Sequence, residues 1–308
     1  MEIKKYEVLV KTAELQSLTE AAKELGITQS GVSHILANLE EHFGFPLLIR
    51  SRAGARLTPD GERLLPLIHK LLACSERIES TAVSIRGLSA GTIRIGTFTS
   101  VAVHWLPGIM KEFQTDYPQI EFRLFNGDYY DVDRWLDEEE VDLAFVAYPP
   151  DADCDYQPLF KDRLLAILPP GHHLADRERF PLREVEHEPF ISLLKGSDHD
   201  ARRALAAAGV RPDIKFTTKD DYAIIAMVEQ GLGISIMPEL LLAGRTDGVC
   251  VRELDPPASR TIALAIPAPL RANPAVFRFT EYVRRWITRQ YGKIAEPDLS
   301  AGNSEGRI

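Results

Sequence analysis

The chain is poor in the residues that would mark several common classes of protein. Its 308 residues include three cysteines, Cys74, Cys154 and Cys250, far apart and without a CxxC pair. That usage excludes a disulfide scaffold and a Cys-based metal module, and it suits a reducing compartment with buried or idle thiols. No apolar run nears the roughly 18 to 20 residues a membrane span needs. The opening "MEIKKYEVLV" has helical patterning and no apolar core with a small-residue cleavage site, so no export signal is expected and the cytoplasm is the expected location. HExxH and GxxxxGKS/T are absent, and "GLGISIMPE" holds only fragments of glycine-rich signatures. His172–His173 reads as surface after a proline-glycine turn, "SDHDARR" as a capped helix start and "DEEE" at Asp137–Glu140 as a solvated helix end. No enzyme, metal or cofactor chemistry is therefore expected.

An excess of positive charge is missing as well, since the chain nets −9. The distribution matters more than the total. Residues 1–88 hold 11 Lys or Arg and 11 Asp or Glu, leaving 25 and 34 to the remainder. Within the neutral part, "RSRAGAR" groups Arg50, Arg52 and Arg56 with no acid between. A local basic patch of this kind can meet phosphate whatever the net charge of the chain.

What is present begins with a helix over "IKKYEVLVKTAEL", apolar on one face. Ser17 with Glu20 three residues on has the spacing of a capping box, and "TEAAKEL" follows as a second helix ended by Gly26. Thr28 can cap a third helix running to about Phe43, where Gly44 stops it. Two helices joined by a short glycine turn form a helix-turn-helix, which lays the first turns of its second helix in a major groove. Those turns carry Gln29, Ser30, Ser33 and His34 beside Thr28, with Thr19 on the preceding helix: short polar groups suited to base edges and phosphates. "FPLLIRSRAGARLTPDG" then reads as a strand, an arginine-bearing loop and a return strand, a wing that would sit beside the duplex backbone or minor groove.

From Thr58 and Pro59 a long helix is expected to about Gly87. Leu64, Ile68, Leu71, Ser75, Ile78, Ala82 and Ile85 alternate spacings of four and three, a heptad seam for pairing with a second helix. Pro66 lies near its start, where a missing N–H matters least.

The pattern "SLTEAAKELGITQSGVSHILANLEEHFGFPLLIRSRAGARLTPDGERLL" resembles the N-terminal domain of LysR-type transcriptional regulators. The likeness implies that Gln29, Ser30, Ser33 and His34 face DNA and that Arg50, Arg52 and Arg56 steady the wing. Gly31 departs from the helix former usual at its position, either weakening the helix by up to about 1 kcal/mol or allowing close backbone approach. Beyond Gly91, strand patterns such as "TIRIGTF", "IEFRLFNG" and "VDLAFVAY" alternate with helical ones, an α/β arrangement with mostly parallel sheets. "GTIRIG", "VDLAFV" and "MVEQGLGISIMPE" extend the resemblance to the family's effector-binding module, similar to periplasmic solute-binding proteins. It implies two subdomains joined by two crossing strands around a cleft.

The expected architecture is α/β overall. A winged helix-turn-helix occupies residues 1–58, a dimerising linker helix 59–88 and an effector domain 89–291, with a disordered tail at 292–308. Subdomain I would take about 91–162 and 268–291, subdomain II about 163–267, with hinges near Asp162 and Pro267–Pro269.

Ligands of such sheets bind at carboxyl ends of strands near helix N-termini. Thr97, Thr99, Ser100, Asn126, Ala147 and Tyr148 fall there on one side, and Thr218, Lys219, Asp220, Asp221 and Tyr222 on the other. Asp220 and Asp221 disfavour a simple dianion and leave room for a zwitterion or a polyol acid. The resemblance further implies a dimer of dimers on a pseudo-palindromic operator, a small-molecule effector, and RNA polymerase as a further partner. A solute-binding or enzymatic protein would call for an export signal or a catalytic motif. A coiled-coil adaptor would leave the basic wing and polar helix unexplained.

Overall fold

The computed structural model describes residues 3–51, 54–85, 91–147, 154–194, 199–268 and 274–292. Arg52, Tyr148 and the tail after 292 lie outside these residues, as do the side chains of Ala82 and Ile85. The chain divides into two compact units, Met1–Leu88 with Asp137–Glu140, and Ser89–Leu136 with Val141–Ile308.

In the first unit, α1 (Lys4–Leu15), α2 (Leu18–Glu24) and α3 (Gln29–Phe43) are followed by β1 (Leu48–Ser51), β2 (Gly54–Leu57) and α4 (Pro59–Ile85). Local chemistry sets each boundary. Ser17 is extended and its hydroxyl accepts the Glu20 N–H at 3.3 Å; Thr28 does the same for Gly31 at 3.1 Å. Gly26 and Gly44 end α2 and α3 with φ of +66° and +80°. Val32, Leu36 and Leu39 form one stripe of α3, fully buried with Tyr6, Leu9 and Leu47. At about 1.5 to 3 kcal/mol per buried aliphatic side chain, this stripe fixes which face of α3 is left outward. The wing is tied back at Gly54, whose φ is +123°. A Cβ there would strike the Gln16 carbonyl oxygen, which accepts the Ala55 N–H at 2.8 Å.

Helix α4 departs from expectation in three respects. Pro66 is the eighth residue of the helix, counted from Pro59, so it removes the bond to Glu62 well inside rather than at the first turn. The expected seam is also split by the unit's own core. Ile68 is buried there, Leu64 and Leu72 pack against it, and Leu71 and Ile78 stay 41% and 64% exposed. The outward line is Leu67, Leu71, Cys74 and Ile78, a four-three-four spacing that keeps Leu71 and Ile78 of the expected seam. Cys74 is accordingly exposed, not buried; Cys154 and Cys250 are half-buried.

The second unit is built on a seven-stranded sheet of central order β10-β6-β11-β5-β3-β4, with β8 and β9 paired in parallel as a separate two-stranded sheet. Its first half contains β3 (Gly91–Thr97), β4 (Ile120–Asn126) and β5 (Leu143–Val146), with α5 (Thr99–His104), α6 (Leu106–Asp116) and α7 (Tyr129–Asp137). Its second half holds β7 (Arg179–Pro181), β8 (Pro189–Leu193), α8 (His199–Ala207), β9 (Asp213–Thr218), α9 (Asp221–Glu229), β10 (Ser235–Pro238) and α10 (Glu239–Leu242). Two long strands, β6 (Cys154–Leu168) and β11 (Cys250–Pro267), run through both halves, and α11 (Pro274–Tyr291) closes the first. Strand β3 pairs in parallel with β4 and β5, as expected, whereas β6 and β11 pair antiparallel along most of their length.

Alternation along these strands feeds separate cores on opposite faces. Leu164, Ala166 and Leu168 join Phe180 and Phe190, while Leu165 and Ile167 join Ile225 and Met237. Covering both faces explains the continuous apolar runs in the sequence.

The second crossover is not at Pro267–Pro269. Ile262, Leu264 and Ile266 belong to the first half's core with Trp105, Phe113 and Phe279, whereas Leu254 and Ala258 pack in the second half's. Strand β11 therefore passes between halves near Arg260, opposite Asp162 on β6. "CVREL" and "TIALAIP" are parts of this one strand, so no break between elements marks the crossover in the sequence.

Candidate functional sites

The outward face of α3 carries the expected polar set. Thr28, Gln29, Ser30 and His34 are exposed, Ser33 is half-buried, and Thr19 is exposed on α2. The Thr28 and Ser30 hydroxyls lie 3.1 Å apart and the His34 ring meets Asn38 at 3.3 Å. Asn38, exposed one turn further on the same face, was not anticipated; its spacing of four from His34 was the available signal. A Cβ on Gly31 would lie 3.2 Å from the Thr28 hydroxyl, tight against the group that caps the helix.

The arginines differ in what they meet. Arg56 is exposed on β2. Arg50 donates to the Ser33 hydroxyl at 3.1 Å and to Glu40 at 3.2 Å, so its charge is partly offset by the protein. Glu40 also accepts the Leu47 and Leu48 N–H groups at 2.8 and 3.0 Å. Arg50 thus links the wing strand to the recognition helix and is less free for a phosphate than Arg56.

The second unit holds a cleft of about 270 Å³ between its two halves. Of the residues expected there, Thr99, Ser100, Asn126, Lys219 and Asp221 line it. Tyr148 lies outside the described residues, and Thr97, Ala147, Thr218, Asp220 and Tyr222 are not among the lining. Thr97 and Ala147 are buried, and Ala147 packs in the first half's core. The Asp220 carboxylate caps α9, accepting the Tyr222 and Ala223 N–H groups at 2.8 and 3.3 Å, and the Thr218 hydroxyl accepts the Asp220 N–H. The Tyr222 ring lies 4.0 Å under the Arg245 guanidinium.

The centre of the cleft was missed. Arg260, 5% exposed, donates from Nε and one terminal nitrogen to Asp162 at 2.9 and 2.8 Å, and to the Ser100 hydroxyl at 2.8 Å. Its other nitrogen donates to the Tyr129 hydroxyl at 2.7 Å and to Asp200 at 3.3 Å. Tyr129 in turn donates to Asp200 at 2.5 Å, and the guanidinium lies 4.9 Å from the Phe98 ring.

Burial works against the Arg260 charge, but Tyr129, Asp162 and Asp200 outweigh it and hold its pKa above the usual value. Burial pushes the Asp162 carboxyl up despite Arg260, and pushes the Tyr129 hydroxyl up strongly. Asp162 also accepts the Leu240 N–H at 3.0 Å. The network reaches from α5 and α7 through both crossing strands to α8, so it ties the two halves together at the crossover. A lone charge in the apolar run "SRTIALAIP" was the one trace of Arg260 in the sequence.

His69, Glu138 and Glu140 bring three ligand atoms within 4.8 Å of one another, the His69 ring lying 2.8 Å from Glu138 and 2.5 Å from Glu140. Among the described residues, His172, His173 and Glu188 offer ligand atoms within 4.8 Å of one another. The Leu174 N–H, however, donates to His172 Nδ1 at 3.2 Å. A neutral His172 ring must then carry its proton on Nε2, the atom that faces the group.

Comparison with known proteins gives two family matches. Residues 3–62 match the bacterial regulatory helix-turn-helix protein, lysR family, and residues 86–288 match the LysR substrate binding domain. The uncharacterized HTH-type transcriptional regulator YvbU of Bacillus subtilis (strain 168) is 33% identical over 287 residues, spanning 92% of this chain and 98% of its own. Full-length CbnR complexed with its target DNA is similar in fold, with a TM-score of 0.68 at 20% identity over 93% of this chain and 100% of that one. The effector binding domain of QuiR in complex with shikimate is also similar in fold, with a TM-score of 0.59 at 24% identity, over 65% of this chain and 98% of its own.

Proposed function

The chain belongs to the LysR family of DNA-binding transcriptional regulators, and we propose that it reads an operator with α3, pairs along α4 and takes a small metabolite in the Arg260 cleft. The observation that carries this is the outward face of α3, where Gln29, Ser30 and His34 stand exposed opposite a fully buried aliphatic stripe. An amide and short hydroxyls on the leading turns of a recognition helix suit base edges in the major groove. Exposed Arg56 on the wing suits a phosphate or the minor groove, and Arg50 holds the wing strand to the reading helix. Arg52 belongs to the same proposed wing contact.

Pairing follows from Leu67, Leu71 and Ile78, three large apolar side chains 62%, 41% and 64% exposed along one line of α4. Covering that seam with a second copy removes it from water and sets two recognition helices on half-sites one turn or a multiple of it apart. A pair of such dimers and a contact with RNA polymerase complete the proposed assembly. No helix among the described residues is long and apolar enough to cross a membrane, and the proposed location is the cytoplasm.

The cleft lies at the crossover of the two halves, where a ligand can favour one closure over another. Regulation then requires different ligand affinities for the two states. The QuiR domain holds shikimate; a metabolite of similar size is proposed here.

Footprinting on the DNA upstream of the gene, and on fragments selected from the whole genome, tests this reading. Two phased, protected half-sites are expected. Binding no better than to scrambled DNA across the entire selection would overturn it.

A further inference from the structure

The cleft's charges say what kind of molecule suits it. Its lining carboxylates are Asp128, Asp131, Asp200 and Asp221, against two lining cations, Lys219 and Arg260. A guanidinium has five N–H donors, and those of Arg260 go to Asp162, Ser100, Tyr129 and Asp200. No donor is left over for an anionic ligand. Lys219 is exposed at the edge.

Asp221 is differently placed. It sits on the first turn of α9, half-buried, and its carboxyl meets the Thr99 hydroxyl across the cleft. Asp200 already has Arg260 and Tyr129, and Arg203 lies 3.5 Å away. Asp128 and Asp131 accept each other's N–H groups at 2.9 and 3.2 Å. Asp221 has Asp220 beside it in sequence and faces a guanidinium already shared by two other carboxylates.

We propose that the effector carries an ammonium or other compact cationic group, seated on Asp221 with the Thr99 hydroxyl beside it. This rests on the effector reading above and narrows it to amines and zwitterions. Such a ligand offsets the excess of carboxylates over cations in the cleft, whereas an anion could meet Arg260 only by displacing Asp200 or Asp162 from it. Burial holds the Asp221 carboxyl above the usual carboxylate range, a cost that a bound cation relieves.

Two measurements on the full-length protein test this. The first is thermal melting of Asp221→Asn without ligand, since asparagine keeps an oxygen for Thr99 and loses the charge. A rise of about 2 °C or more is expected; a fall would show that the carboxylate holds the fold and would overturn the proposal. The second is equilibrium dialysis against the twenty protein amino acids, putrescine and spermidine, mixed with 2-hydroxy and dicarboxylic acids. Retention of an amine by the wild type, reduced tenfold or more in Asp221→Asn, supports the proposal. Retention of an amine-free acid overturns it and leaves the effector reading standing. An amine retained with no change in the operator footprint leaves a cation site at Asp221 standing and overturns the effector role. If neither protein retains a compound, the melting result decides.

Discussion

The two polar surfaces of this chain are built in opposite ways. On α3 the polar side chains are short and exposed, with few partners on the protein: Gln29, Ser30 and His34 meet one neighbour at most among the described contacts. In the cleft Arg260 is buried and its donors are all engaged, with partners drawn from α5, α7, β6 and α8. The first surface keeps its hydrogen-bonding capacity for a partner that arrives with its own acceptors and donors. The second spends its capacity holding two halves of a domain together, and leaves Asp221 as the group with charge to offer. A surface for DNA can be bare because water satisfies it until binding; a buried cluster must be satisfied from within.

The largest effect that would test this contrast is at Arg260. Arg260→Met removes a buried cation and strands Asp162 and Asp200, so a loss of about 3 to 5 kcal/mol is expected in urea unfolding. A loss under about 1 kcal/mol would mean that the network is not a closure element. Next is the α3 face: Gln29→Ala should cost roughly 1 to 3 kcal/mol in binding to the selected operator while non-specific binding holds. Equal losses on operator and scrambled DNA would remove Gln29 from base reading.

On α4, Ile78→Lys should raise the dimer dissociation constant at least tenfold in sedimentation velocity, an estimate from burying one aliphatic side chain per copy. Mild oxidation should also cross-link Cys74 to Cys74, which sits within the same exposed line. An unchanged dimer that fails to cross-link would place the interface elsewhere. The smallest effect is on the wing, where Arg56→Ala should flatten the salt dependence of binding by about one contact and Arg50→Ala by less. Equal slopes for the two variants would contradict the difference drawn from Glu40.

These contrasts also explain what could be read in the sequence. Ser17, Gly26, Thr28 and Gly44 act within one turn of where they sit, so their spacing predicted the helix boundaries that the structure has. The α3 face was legible for the same reason, its buried stripe and polar face being one periodic pattern. The α4 seam was legible in part, at Leu71 and Ile78, because apolar spacing does not say which residues the chain's own core takes. Leu64 and Ile68 go to that core and Leu67 to the outside. The cleft was half legible: Thr99, Ser100 and Asp221 stand at strand ends and helix starts, where topology alone points. Arg260 and Asp162, 98 residues apart in sequence, meet through the register of two strands, and Tyr129 reaches Arg260 across 131. No local pattern carries that information.

The measurement that bears most directly on the account is a salt-titrated competition between the selected operator and scrambled DNA of the same length and composition, using the full-length protein. Operator binding at least about a thousandfold tighter is expected near physiological salt, with both affinities falling as salt rises. Equal affinity for the two DNAs at every salt concentration would contradict base reading by α3, and with it the claim that the bare polar face is built for DNA.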